Sequence, residues 1–242
     1  MKITDFIEIK NYYKKAGQSG KLGVAIDRAG KKYLLKQGHY GEPANEYVYS
    51  LVSKKVGVPC QTCHLVEGFG VPVVALEYIS RIRGKSKKEF DYKFIINDFV
   101  KAITLDALTC QDDRSQYIIR TDGKFFKIDN SEAFGFSNYE KYIFETNQEG
   151  IINDRLYYIE NDINRILIDI KICKERILKE YGEQQVRNME TLIEKFSTTD
   201  YNFLKEDKQL QTVYSKETYK YFLARIRAAN NAIFYLKKNK IL

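Results

Sequence analysis

The sequence predicts an α+β fold in two lobes: a small β-rich N-terminal lobe carrying one helix, then a larger, mainly helical C-terminal lobe. Three observations predict it. Before about residue 80, apolar residues fall in short β-type runs separated by glycine-bearing turns, with one stretch that carries helix start and stop signals. After it, apolar residues recur at helical spacing over most of the chain. The exception is a hairpin, Tyr117-Ile118-Ile119 and Phe125-Phe126-Lys127-Ile128 about Thr121-Asp122-Gly123-Lys124, whose Asp-Gly pair is a strong turn signal. We place the lobes at 1–80 and 81–242, where the composition shifts at a basic stretch.

The β-type runs are taken first. Gly17-Gln18-Ser19-Gly20-Lys21-Leu22-Gly23 separates Ile9-Lys10-Asn11-Tyr12-Tyr13 from Val24-Ala25-Ile26. A glycine-rich turn between strands lets backbone N–H groups approach a phosphate, because no Cβ stands in the way. The spacing is not that of a Walker A loop and no helix follows, so a plain hairpin stays open. A second hairpin turns at Asp27-Arg28-Ala29-Gly30 into Lys31-Lys32-Tyr33-Leu34-Leu35-Lys36. Lys36 closes that run, at the position from which a strand lysine reaches phosphates in nucleotide folds. The helix runs from Pro43 to Gly57, with proline in the first turn and glycine at the C-cap. Glu46 lies in its first turn, where it serves the helix dipole or pairs with Lys36.

Cys60-x-x-Cys63-His64 matches a haem-attachment pattern and half a zinc site. It sits in a run that alternates like a strand, with Cys60, Thr62, His64 and Val66 on one face, and a strand is the reading adopted. Val71 to Ile79 reads as a buried strand leading into the connector.

In the second half, Phe90 to Leu108, Ile151 to Tyr181, Gln185 to Phe196 and Lys216 to Lys238 read as helices. The stripe Ile159, Ile163, Ile166, Ile170, Ile177 and Tyr181 is expected to face the core. Gln111-Asp112-Asp113-Arg114-Ser115 is a charge-dense loop before the central hairpin. The hairpin brings its two ends together and so sets Asp112 and Asp113 near Asp129. Such acidic loops are often solvated turns; beside an arginine they also suit Mg²⁺ and a polyphosphate.

The bulk numbers set limits. The chain has 242 residues, 44% hydrophobic and 30% charged, the balance of a soluble globular protein. No apolar run approaches the roughly 18 residues that a membrane span needs. The first fifteen residues lack the apolar core of a signal peptide, so a cytoplasmic protein with four free cysteines is expected. The net charge of +8 fits an anionic partner: a nucleotide, RNA, an acidic protein or a phospholipid head group. The basic clusters at 81–88 and 237–240 read as solvated faces, so nucleic acid is not expected as a direct ligand. Nothing in the sequence bears on oligomeric state.

The order of the parts is that of a bilobed kinase: glycine loop, strand lysine, helix glutamate, connector, Asp-Arg loop, hairpin, Ile-Asp. On Ala44-Asn45-Glu46-Tyr47 running into Lys55-Val56-Gly57-Val58-Pro59, Leu105-Asp106-Ala107-Leu108, Asp113-Arg114 and Ile128-Asp129-Asn130-Ser131-Glu132-Ala133-Phe134, the sequence resembles the HipA-like Ser/Thr kinases in their compact form. Ile128-Asp129-Asn130 with the following Ala-Phe also looks like the type II phosphatidylinositol 4-kinases.

The resemblance implies an enzyme that uses ATP and Mg²⁺ to phosphorylate a Ser/Thr hydroxyl of a protein, in a toxin–antitoxin or host-interference setting with an antitoxin-like partner. It implies Lys36 on the α/β-phosphates, steadied by Glu46, with the amides of Gly17, Gln18, Ser19, Gly20 and Lys21 over the phosphates. It implies Glu77 and Tyr78 at the adenine edge, Asp113 as acceptor of the substrate hydroxyl proton, and Asp129 on Mg²⁺. Autophosphorylation at Ser19 would switch the enzyme off by repelling ATP. Two positions depart from the family pattern. Ser115 stands where a histidine is usual. Ile118 stands where an asparagine holds a second metal, and a hydrocarbon cannot ligate Mg²⁺. Gln116 is the candidate replacement, with Asp112 as an extra carboxylate. A nucleotide-binding pseudokinase acting as an interaction module is therefore the alternative, and a lipid kinase a further one.

Overall fold

In the computed structural model the described residues are 1–12, 21–80, 95–111, 116–120, 122–135 and 149–242. The N-terminal half forms an antiparallel sheet of β1 (Phe6–Tyr12), β2 (Lys21–Asp27), β3 (Lys32–Gln37), β4 (Cys63–Val66) and β5 (Val73–Glu77), in spatial order β1-β2-β3-β5-β4. The β2–β3 turn is built by Asp27, whose Oδ1 accepts from the Ala29 and Lys31 amides at 2.9 and 2.8 Å, while Gly30 takes φ +79°.

Alternation then decides what each face does. Ala25, Tyr33, Leu35, Val73 and Ala75 gather with Phe6 and Val66 into a small core on one face. Leu34, Cys63, Leu65, Val74 and Leu76 belong to the main core together with α1 (Glu42–Val56). Lys36 is two residues from Leu34, so the strand's period of two carries it to the side where α1 packs. Pro43 stands in the first turn of α1, and Gly57 ends it at φ +81° with its N–H on the Ser53 carbonyl.

The run about Cys60 is a shorter strand than the alternation predicts. Cys60 forms an isolated bridge with Lys127, and the Gln61 N–H donates to the Lys127 carbonyl at 3.0 Å. That contact takes the backbone out of the sheet, and β4 begins only at Cys63. The strand expected at 71–79 likewise narrows to 73–77, with Val71 and Tyr78 exposed at its two ends.

The rest is mainly helical. α2 (Ile96–Leu108) buries Val100 and every residue from Ala102 to Leu108, and the expected start at Phe90 lies outside the described residues. α3 (Glu149–Tyr181) lays Ile166, Ile170 and Ile177 into the core as the stripe predicts, with Cys173 buried beside them, while Tyr181 at its end is 36% exposed. It packs on α4 (Glu183–Thr198) and α7 (Thr218–Lys238), and α2 packs on both α3 and α4. Two short helices, α5 (Phe203–Glu206) and α6 (Lys208–Val213), were not expected. Asp207 caps α6 by accepting from the Leu210 amide at 2.8 Å, a signal present in the sequence before a helix too short to show periodicity. The hairpin is β6 (Tyr117–Ile119) with β7 (Phe125–Lys127), Tyr117 opposite Lys127. Among the described residues no helix is long and apolar enough to cross a membrane.

Candidate nucleotide site

Lys36 is 11% exposed at its side chain, and its Nζ lies 2.5 Å from Asp129 Oδ1 and 3.6 Å from Glu46 Oε2. Three elements meet at this ammonium: β3, α1 and the segment after β7. Glu46 is fully buried. Its Oε2 also accepts from the Asn130 N–H at 2.9 Å, so the α1 carboxylate holds both the strand lysine and the backbone just past Asp129. Next to it on α1, Asn45 donates from Nδ2 to the Ser131 carbonyl at 2.8 Å.

Asp129 has φ +55°, the left-handed region that a residue with a Cβ enters only when its surroundings hold it there. The restraints are visible. The Gln111 amide donates to the Asp129 carbonyl at 3.0 Å, and the Ser131 hydroxyl approaches Asp129 Oδ1 at 3.4 Å. Farther on, Phe134 at φ +62° donates its N–H to the Thr109 carbonyl at 2.7 Å. Its own carbonyl accepts from the Tyr221 hydroxyl at 2.5 Å, and Arg225 Nε donates to that hydroxyl at 2.9 Å. The segment carrying Asp129 is thus tied to α1 at one end and to α7 at the other.

Beneath the site lies a second, wholly buried charge pair. Lys127, 1% exposed, sets its Nζ 3.6 Å from Asp106 Oδ2 and donates to the Ile128 carbonyl at 3.1 Å. Tyr49 donates to Asp106 Oδ1 at 2.6 Å. Tyr49 is three residues past Glu46, Asp106 is on α2, and Lys127 is two residues before Asp129. The pair therefore joins the same parts as the site above it. Sequence reasoning missed this pair, and also Asn45, Gln111 and Asn130. The available signal was a charged residue inside each of two mainly apolar runs, Ala102 to Leu108 and Phe125 to Ile128.

Burial opposes the charge on Lys36, but Glu46 and Asp129 together outweigh it and hold the ammonium pKa above its usual value. Burial raises Glu46 above the usual carboxylate range, against the pull of Lys36 and of the Asn130 N–H. Removing the lysine removes the larger of those two opposing influences. In Lys36→Met the folded state should hold the Glu46 proton more tightly still. A carboxyl whose folded pKa lies above its unfolded value contributes stability that is full below about 4.5 and is lost as pH rises through the folded value. The melting temperature of Lys36→Met, measured between pH 4.5 and 8, should fall with rising pH more steeply than that of the wild type. Parallel profiles would show that Lys36 and Glu46 are not coupled.

The other site residues expected from the sequence are placed as follows. Asp113, with Asp112, Arg114 and Ser115, lies outside the described residues, as do Gly17, Gln18, Ser19 and Gly20. Lys21 opens β2 opposite Gln37, and Leu22 is opposite Lys36. Gln116 accepts from the Ile128 N–H at 3.2 Å, one residue before Asp129. Ile118 is mid-strand in β6, paired with Phe126. Glu77 pairs with Tyr33, three positions along β5 from the partner of Lys36, a separation of about 10 Å. Its carboxylate is turned to Lys31 and His64, and its carbonyl accepts from Gln61 Nε2 at 2.9 Å. Tyr78 is 56% exposed. Cys60 and Cys63 join no metal-ligand cluster among the described residues. Asn130 Nδ2 donates to Cys60 Sγ at 3.6 Å, Cys63 Sγ donates to the Gln61 carbonyl at 3.3 Å, and burial pushes the Cys60 thiol up to about 12.

The donor set suits one kind of metal. No group of three His, Cys, Asp or Glu side chains comes together among the described residues. Mg²⁺ needs no such cage, since it keeps several waters and takes one or two carboxylates together with phosphate oxygens. Asp129 offers a hard oxygen ligand of this type, 38% exposed, beside a lysine that can meet the same phosphates.

An antiparallel sheet with one helix packed on it, a central hairpin and a helical C-terminal part define a kinase-like α+β fold. A crystal structure of a Helicobacter pylori proinflammatory kinase, CtkA, has this architecture, with a TM-score of 0.58 and 12% sequence identity over 96% of this chain and 98% of that one. At such identity the likeness concerns the fold. No protein-family model matches the sequence, and no curated protein matches it.

Proposed function

We propose that the protein is a kinase that transfers a phosphoryl group from ATP to a Ser/Thr hydroxyl of a protein, in the manner of the HipA-like enzymes. The observation that carries this reading is the placement of Lys36 between the buried Glu46 and Asp129 within a kinase-like fold. Residues 1–80 act as the nucleotide-binding lobe and 81–242 as the catalytic lobe.

Phosphoryl transfer is mostly positioning and charge stabilisation, so the protein's part is to hold cations and a base in place. Lys36 binds the α/β-phosphates, and Glu46 fixes its direction. The amides of Gly17 to Lys21 cover the phosphates from the strand end beside Lys36. Glu77 and Tyr78 lie toward the adenine. Asp113 takes the proton of the attacking hydroxyl. Asp129, with the Gln116 amide, holds Mg²⁺; when bound, the ion supplies neutralisation of the phosphate oxygens. Bond formation from the substrate oxygen to the γ-phosphorus accompanies loss of the bond to the β-bridging oxygen, and ADP leaves. Incubation with γ-labelled ATP and Mg²⁺ should label the protein or an added protein substrate, and Asp113→Ala should abolish the label. Equal labelling of wild type and mutant, or none of either, overturns the catalytic reading.

One observation favours a second reading. Ile118, where the resemblance implies an asparagine, pairs with Phe126 in β6 and offers no oxygen ligand. A pseudokinase that binds ATP without turnover would show an ATP-dependent rise in melting temperature and no labelling.

A further inference from the structure

The outer face of α1 borders a groove of about 440 Å³ that the nucleotide site does not use. Its walls include Tyr47, Leu51 and Lys54 from α1, Pro59 from the following loop, His64 from β4, Phe126 from β7 and Gln209 from α6. The volume falls in the range of roughly 300–1,000 Å³ typical of ligand sites. The floor is apolar, since Leu51, Val58, Pro59 and Phe126 present carbon.

The charges are one-sided. Among the described residues no aspartate or glutamate lines the groove. Asp207, next to it in sequence, is already committed, accepting from the Tyr47 hydroxyl at 2.8 Å and capping α6. Burial lowers the pKa of His64, also on the wall, and its Nε2 is turned to Glu77 Oε1 at 3.4 Å. That leaves Lys54 as the cation on the wall. It is exposed, in the last turn of α1, and has no acidic partner among the described residues. A cation on the rim of an apolar trough, with no acidic partner of its own among the described residues, is complementary to an apolar side chain flanked by a carboxylate.

We propose that this groove docks a segment of a partner protein that presents an aromatic or large aliphatic side chain beside an acidic residue. The apolar side chain fills the trough between Leu51, Pro59 and Phe126, and the carboxylate meets Lys54. The proposal does not depend on phosphoryl transfer, because none of the groove residues belongs to the nucleotide site. The occupant would nonetheless press on α1, the helix that also carries Glu46.

The test is selection of random peptides displayed on phage against the full chain, followed by affinities of the recovered peptides for wild type, Lys54→Glu and Leu51→Arg. Both substituted positions are only partly buried or exposed, and melting temperatures check that both variants fold. The expected result is enrichment of peptides with an acid next to an aromatic or aliphatic residue, and roughly ten-fold or greater weakening by each variant. Substituting the peptide acid by Lys should restore part of the affinity for Lys54→Glu. Absence of binders, binders without acids, or affinities indifferent to both variants overturns the proposal. So does a shift of the chain's own sedimentation from dimer to monomer in either variant, which would give the groove to a second copy instead. ATP-dependent stabilisation is measured on the same samples, so failure of the groove and failure of the nucleotide site are read separately.

Discussion

Asp129→Asn is expected to slow phosphate transfer at saturating ATP by about 10²–10³-fold, the usual cost of deleting one charge-stabilising group at a transition state. The choice of asparagine matters. Asp129 stands at φ +55°, and asparagine enters the left-handed region more readily than other residues with a Cβ, so the backbone is not asked to move. The side chain keeps its shape and loses only its charge. Lys36 keeps Glu46 as a counter-ion, and the Gln111 and Asn130 contacts to the backbone are untouched. The melting temperature should therefore change by only a few degrees while the rate collapses. Asp129→Ala adds a backbone cost of about 1–2 kcal/mol for holding an alanine in that region, and should lose stability as well as rate. Steady-state labelling rates with calorimetry on the three proteins separate the two effects. A rate for Asp129→Asn within a factor of a few of wild type removes Asp129 from the proposed metal site.

The second large effect is on stability. Lys127→Met is expected to cost about 3–5 kcal/mol, because it leaves the Asp106 carboxylate buried opposite no cation. For a chain of this size, with each kcal/mol worth roughly 2–4 °C, the midpoint should fall by about 10 °C. Adding Asp106→Asn should recover much of the loss, since the amide is neutral yet still accepts the Tyr49 hydroxyl that now donates to Asp106 at 2.6 Å. Thermal unfolding of wild type, both single mutants and the double mutant closes the cycle. If the double mutant is no more stable than Lys127→Met alone, the cost lies in packing and not in the unpaired charge. The pair links α1, α2 and β7, so its loss should loosen the geometry of Lys36 and Asp129 too.

Three residues that the chain order singles out, Lys36, Glu46 and Asp129, come together in the structure. Lys36 closes a β-type run, Glu46 follows Pro43 into a helix with a glycine stop, and Asp129 follows a hairpin announced by Asp-Gly. These are local signals: a strand period, a cap, a turn. The structure brings the three side chains to one point, though their separation in sequence is as much as 93 residues. What local signals could not reach is the support around them. Nothing near Asn130 in sequence says that its N–H will meet Glu46. Nothing near Cys60 says that it will bridge to Lys127 and shorten a strand whose alternation extends further. The short helices α5 and α6 escaped for a different reason, since four and six residues are too few for a helical period to register.

The amino-acid sequence by itself determined the α+β character, the position of the first helix and its stops and the central hairpin, and it singled out Lys36, Glu46 and Asp129, because each rests on periodicities and turn chemistry within a few residues. Only the tertiary structure decided that Glu46 would be buried against the backbone after Asp129, that Lys127 and Asp106 would pair out of water, and that α1 would present a groove on its outer face. Those outcomes depend on which surfaces exclude solvent together, and burial of a charge is settled by its partners in space.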